Sequence, residues 1–379
     1  MQSFITLALI VFTGATATLA GVVHHPEHSS LAGLSNEPLG VHASSVKVVG
    51  AQPMPPKPTD TSYKLVDVKN HPHRQLVPGD QRGPCPGLNV LASHGYLPRS
   101  GVATPAQIIN AVIEGWNMEY NLAASIAYSY LLLTGNVLTN LVSIGRYSPL
   151  TGPTPPPPAT AGGLGGPSLL NGDASMTRSD IFIGDPNDLN MTLFNQLVDN
   201  INKYGNGRYN VAAAAEHRWQ RIQDSIAQNP HADLGNPQFT AVYGESAFAL
   251  EFFSGAETPD GETGAPLENI RSIYLEHKFP EDFHRRGTPF DGSGNTIPAL
   301  MAAHPLFPGV NNGTVNSYIP VDFNEGETPG CAVYAKQVKN LVELYPNPKG
   351  VLRAALITNL EHLYSSIQAN CPEERRPYD

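Results

Sequence analysis

The chain reads as mainly α, and three observations predict it. Helix starts recur, each a capping residue followed by a proline or an apolar stripe; the stripes repeat at three- and four-residue spacing; strand signals are short and scattered. With 35 Gly and 35 Pro among 379 residues, the composition adds long, stiff loops but stays below the disordered range. We expect one compact helical domain over residues 51–379, large enough for a substantial core.

Taken in order, Ile5 to Phe12 form an apolar run followed by Gly14, Ala15, Thr16, Ala17 and Ala20, so residues 1–20 read as a secretory signal. Residues 21–50 show no periodicity and are expected to be a propeptide or disordered lead-in. Pro86 is suited to be the first residue of a helix that runs through Leu88, Asn89 and Leu91 to Gly95. Thr104-Pro105 opens the next, with Ile108, Ile109, Val112, Ile113 and Trp116 on its buried stripe. A nearly all-apolar helix follows over 120–133, and a long Pro/Gly loop over 149–169. Further helices are expected over 193–204, from Asn210 to Ile226, and over 237–252. Two final helices, about 334–344 and 351–369, are flanked by Cys331 and Cys371, which can pair with each other.

Charge and motifs exclude several functions. Lys and Arg number 23 against 33 Asp and Glu, with no basic patch interleaved with aromatics, so nucleic acid is not an expected partner. Nothing after the leader is long and apolar enough to span a membrane, and a secreted, extracellular protein is expected. The sequons at Asn190 and Asn312 fit glycosylation in that compartment. HExxH, CxxC and GxSxG are missing, and the glycines at 162–166 lack the Lys-Ser/Thr of a phosphate loop. His71 and His73 read as surface residues rather than metal ligands.

Cys85 stands out. Pairing of the two C-terminal cysteines leaves it single, and Pro84 and Pro86 stiffen the backbone around it. A thiol just before a helix N-terminus faces unpaired amides, which favours the thiolate. Such a group is suited to attack a substrate or bind a metal; the alternative is a buried thiol packed as a small hydrophobe.

The run Gly83-Pro84-Cys85-Pro86-Gly87-Leu88-Asn89-Val90-Leu91-Ala92-Ser93-His94-Gly95-Tyr96-Leu97-Pro98-Arg99 resembles the signature of fungal haem-thiolate peroxidases, the superfamily of chloroperoxidase and the unspecific peroxygenases. The resemblance continues through residues 101–112 and resumes at Gly172-Asp173-Ala174-Ser175-Met176-Thr177-Arg178 and Tyr243-Gly244-Glu245. It covers about residues 58–375 and looks like the longer peroxygenase branch. It implies a chloroperoxidase-like helical domain enclosing haem b, with Cys85 as axial thiolate and Glu245 as distal acid–base group. Thiolate ligation pushes electron density onto iron and favours cleavage of a peroxide O–O bond. The resemblance also implies a Cys331–Cys371 disulfide, hydrogen peroxide as oxidant and small apolar or aromatic substrates.

The chain departs from the family pattern in three places. Gln238 stands where the longer enzymes usually carry an arginine, seven residues before Glu245; a glutamine offers only a neutral hydrogen bond. Asn171 replaces the glutamate of a Glu-Gly-Asp segment that holds magnesium in the family, leaving Asn171, Gly172 and Ser175 as weaker oxygen donors. Where the family often places phenylalanines over the haem, this chain has Met118, Leu170, Thr240 and Phe248, so a more pliable channel is expected. The implied function is a secreted peroxygenase acting on aromatic and aliphatic C–H bonds and alkenes, with one-electron side activity. A haloperoxidase and a catalytically weakened haem-binding protein are the alternatives.

Overall fold

A computed structural model describes residues 47–166, 172–235, 238–255, 264–321, 329–367 and 376–378. Leu170, Asn171, Cys371 and the expected leader lie outside them. The described residues form ten α-helices: Pro86–His94 (α1), Pro105–Trp116 (α2), Tyr120–Thr134 (α3), Met191–Gly205 (α4), Val211–Gln228 (α5), Gln238–Phe252 (α6), Leu267–Arg271 (α7), Thr296–Ala303 (α8), Pro329–Leu344 (α9) and Gly350–Ile367 (α10). The strands are short and antiparallel, and they tie loops together rather than build a layer. Val102 pairs with Ser143 and Ala103 with Val142, for example, and Lys64 with Arg285.

Local chemistry sets the helix ends. Thr104 and Gln107 form a reciprocal capping box at α2, with Pro105 just inside it. The Glu119 carboxylate accepts from the amides of Asn121 and Leu122 at the start of α3, and Asn210 accepts from Ala213 at α5. Each such cap is worth about 1 kcal/mol. Helix α1 ends at Gly95 with φ 76°, a left-handed position where a side chain would be strained.

Helix α3 is central. Helix α2 packs on one side of it, α10 lies along another, and α9 touches both α3 and α10. The second group is α4 on α5, with α5, α6 and α8 in mutual contact. Leu91, Ile109, Leu131, Phe194, Ile222 and Leu356 are completely buried between these elements. The expected helices are present, with ends shifted by a few residues. Helix α7, the π-helical turn Ser272–Glu276 that follows it, and α8 were not anticipated, because segments this short show no stripe.

Candidate active site

Cys85 is the N-cap of α1, with an extended backbone (φ −86°, ψ 107°) that points its side chain back over the helix start. The sulfur makes no capping hydrogen bond, but the nearby amides of Gly87 and Leu88 favour its ionised form. The preceding loop is held by a double clamp: Gly83 N–H donates to Asn89 Oδ1 and Asn89 Nδ2 donates to Gly83 O, both at 2.9 Å. Arg178 adds a third bond, Nη2 to Gly83 O at 3.2 Å. No side chain fits at position 83, because a Cβ there would come within 1.9 Å of the Ile144 carbonyl oxygen.

The thiolate expected from the helix start does not form unaided. The helix amides do favour it, as does Arg178, but burial outweighs them and pushes the Cys85 thiol above its usual range. Without a metal the group is a thiol, partly buried against the core. A bound metal would displace the proton outright, so the thiolate is a consequence of ligation rather than of the helix alone.

Glu245 sits on α6. Its side chain is 47 % accessible to water, yet burial is the largest influence on its carboxyl and pushes it up. Both hold if the carboxylate faces an internal space instead of bulk solvent. The neighbouring positions agree: a Cβ on Gly244 would meet nothing within 4 Å, and Phe248, one turn on, is half-buried. The Cys85 thiol is electrostatically coupled to Glu245, and Tyr130 of α3 is coupled to both. Tyr130 is itself pushed up by burial. Thiol, carboxylate and phenol therefore lie within electrostatic reach of one another.

The charge partner of Glu245 comes from α5, which the sequence reading missed. Arg218 is 1 % exposed and places Nη2 at 3.5 Å from Glu245 Oε2. Its Nε donates to Ser246 Oγ at 3.0 Å and its Nη1 to the Ala174 carbonyl. Ser246 is also bonded to Tyr209, and the hydroxyls of Tyr209 and Tyr274 approach Met176 Sδ at 3.9 and 3.8 Å. Arg178 adds a second cation within electrostatic reach of Glu245. Gln238, by contrast, packs against Gly172, where a Cβ would come within 2.9 Å of its Cγ.

Of the residues placed along the channel by sequence, Phe248 and Met118 come close to a common wall. Phe248 joins Phe252 and Phe290 in a three-ring cluster, with centroids 5.5–6.1 Å apart and Phe290 edge-on to both. Met118 is paired with Phe290 through a backbone bridge and is buried. Phe290 therefore restores an aromatic ring near the position where Met118 stands. Thr240 is exposed on α6, and Leu170 is outside the described residues.

Near the segment proposed for magnesium, the Ser175 carbonyl accepts from Arg221 Nε at 2.9 Å, and Asp173 accepts from the Asp233 amide at 2.8 Å. Burial and the charge of Asp180 push the Asp173 carboxyl up to about 7. No group of three His, Cys, Asp or Glu that could hold a metal occurs among the described residues. Of the sequons, Asn312 is exposed in the turn between the last two strands. Asn190 is engaged as the cap of α4, and its Nδ2 donates to Ser179 Oγ at 3.0 Å.

The helical domain thus carries a free thiol at a helix start and, within electrostatic reach of it, a glutamate paired with a buried arginine. Residues 71–288 match the family model described as peroxidase, family 2, and the chain belongs to that family. It is 45 % identical over 357 residues to an aromatic peroxygenase of Cyclocybe aegerita, covering 93 % of this chain and 95 % of that protein. An aromatic peroxygenase of Coprinellus radians is 47 % identical over 255 residues, which is 65 % of this chain and 97 % of that protein. More distant is the aromatic peroxidase fscJ of Fusarium equiseti, 28 % identical over 305 residues, covering 70 % and 67 %.

Proposed function

We propose that this protein is a haem-thiolate peroxygenase. It uses hydrogen peroxide to transfer oxygen to aromatic and aliphatic C–H bonds and alkenes, and it oxidises phenols one electron at a time as a side activity. The observation that carries this reading is a free thiol at a helix start within electrostatic reach of a carboxylate paired with the buried Arg218. The identity to aromatic peroxygenases over most of the chain supports it independently.

The residues present fit a haem. Cys85 is the free cysteine among the described residues, and Gly87 leaves space beside it that a Cβ, 3.9 Å from the sulfur, would fill. Haem b held by Cys85 would supply the iron to which peroxide binds and the oxidising power for oxygen transfer. Asn89 and Arg178 fix the loop that carries the sulfur, and the two helix amides temper its electron donation. Glu245 takes a proton from one peroxide oxygen and returns it to the other, so that water leaves. Arg218 opposes the pull of burial, which raises that carboxyl. Phe248, Phe252 and Phe290 present an apolar wall suited to aromatic and alkyl substrates.

Gln238 takes a lesser part, a neutral polar group packed on Gly172, while Arg218 supplies charge from another helix. Magnesium is assigned a weak site at Asn171, Gly172 and Ser175, opposed by the Arg221 guanidinium already on the Ser175 carbonyl. A Cys331–Cys371 disulfide is supported by the bonded state of Cys331, and secretion by the leader-like residues 1–20 and the exposed sequon at Asn312. The Glu245–Arg218 pair argues against a haem-binding protein that has lost its catalytic groups.

The test is the absorption spectrum of the reduced, carbon monoxide-bound holo-protein, with Cys85→Ser alongside. A strongly red-shifted Soret band in the wild type, lost in the variant together with peroxide-driven turnover, is expected. A wild-type band in the position of a histidine-ligated haem would overturn the reading.

A further inference from the structure

Oxygen transfer at the thiol and carboxylate leaves one buried aromatic group unused. Trp116 ends α2 and is 3 % exposed, and its indole Nε1–H has no hydrogen-bond partner among the described residues. It borders the thiol: a Cβ on Gly87 would lie 3.3 Å from the indole nitrogen and 3.9 Å from Cys85 Sγ. From there rings lead outward. Trp116 and Phe279 have centroids 4.8 Å apart, and Phe279 meets Tyr96 edge-on at 6.1 Å. Tyr96 is half-buried and stacks on His71 at 3.9 Å. Phe279 also touches His94 at 5.0 Å, which reaches His73 at 5.4 Å. His73 lines a surface cleft of about 430 Å³ whose rim carries Arg74 and Lys278, with Glu276 and His277 beside them.

We propose, resting on the haem-thiolate reading, that Trp116, Phe279 and Tyr96 form a relay that draws electrons inward from the surface to the haem site. Bulky phenolic polymers that cannot enter the cavity are then oxidised one electron at a time at Tyr96. Indole and phenol are the side chains that give up one electron most readily, and Phe279 bridges them. An indole whose N–H has no acceptor keeps its proton when it loses an electron, so its charge is refilled by electron transfer alone. Tyr96 supplies that electron and releases its phenolic proton to water. The donor phenol then returns an electron and a proton to Tyr96 and leaves as a phenoxyl radical. Two such turns consume one peroxide: hydrogen peroxide and two phenols give two waters and two phenoxyl radicals. The charges at the cleft balance, with Lys278 beside Glu276 and Arg74 paired to Asp80 at 2.6 Å, so donor size rather than donor charge sets the preference.

The experiment uses holo-protein, hydrogen peroxide and three reductants: lignosulfonate, a sulfonated phenolic polymer too large for the cavity; guaiacol, a small phenol; and naphthalene for oxygen transfer. Tyr96→Phe should slow lignosulfonate oxidation about tenfold and leave naphthalene hydroxylation at the wild-type rate. Freeze-quenched wild type, mixed with peroxide alone, should show a tyrosyl radical by electron paramagnetic resonance. That signal should be absent in Tyr96→Phe and in Trp116→Phe. Lignosulfonate oxidation at the wild-type rate in Tyr96→Phe, or a tyrosyl signal that survives it, overturns the relay. Tyr96→Phe alone decides the matter if the Trp116 variant does not fold. If wild-type holo-protein fails to oxidise even guaiacol, the haem-thiolate reading fails first and the relay falls with it.

Discussion

Replacing Arg218 by glutamine tests whether this residue sets the ionisation of Glu245. Glutamine can still bond to Ser246 and the Ala174 carbonyl, so the change removes mainly charge. At 3.5 Å a unit ion pair is worth roughly 5 kcal/mol at an effective dielectric of about 20. The Glu245 side chain is 47 % accessible, so screening cuts this to about 1.5–3 kcal/mol, or about one to two pKa units. Burial raises the Glu245 carboxyl while Arg218 and Arg178 lower it, so losing Arg218 raises it further. Glu245 must be ionised to accept the first proton. The acid limb of the pH–rate profile for peroxide-limited turnover should therefore move up by about one to two pH units. On that limb the rate should fall about ten- to a hundredfold. Arg218→Lys retains the charge and should move the limb less than half as far. Equal limbs in wild type, Gln and Lys variants, all with normal haem content, would refute the assignment of Arg218. A pH-independent loss of rate in both variants would mark it as a purely structural residue.

Gln238→Arg puts a cation on α6 without removing Arg218 from α5, and faster peroxide activation, read by stopped-flow absorbance, is the expected result; no gain would show that Arg218 already supplies the charge needed. Extensively dialysed holo-protein should contain well under one equivalent of magnesium by elemental analysis, and a full equivalent would show that Asn171 and Arg221 do not weaken the site. Two buried histidines should make the fold sensitive to acid. His94 accepts from the Phe279 amide and is lowered to about 4, and His217 bonds to the Met176 carbonyl and is lowered to about 3, in both cases chiefly by burial. Both folded values lie below the unfolded value, so their stabilisation is complete above pH ~6.5 and is lost as pH falls toward 4 and 3. His94 alone should cost about 3 kcal/mol over that window. Urea midpoints between pH 7 and 4 should fall less steeply in His94→Gln, and parallel slopes would count against the assignment.

What the sequence made legible, and what it hid, depends on the range of the interactions involved. Cys85, its prolines and its helix were readable because a cap, a first-position proline and a glycine stop all act within one or two turns. Glu245 was singled out through the resemblance at Tyr243-Gly244-Glu245, since a carboxylate beside an apolar stripe on α6 reads by itself equally as a surface group. Arg218 was not, because its significance depends on α5 and α6 lying side by side, and nothing local distinguishes it from Arg221 one turn later. Phe290 was hidden likewise: it sits in a loop and reaches Met118 through a backbone bridge across 172 positions of chain. The thiolate expectation failed for a related reason. Helix amides act over a few ångströms and can be read from sequence, whereas the burial that opposes them is supplied by the whole fold. The same contrast explains how Gln238 can stand where an arginine is usual. A cation needed at a carboxylate can come from any helix that touches it, so the helix that carries Glu245 is free to lose one when its neighbour provides another.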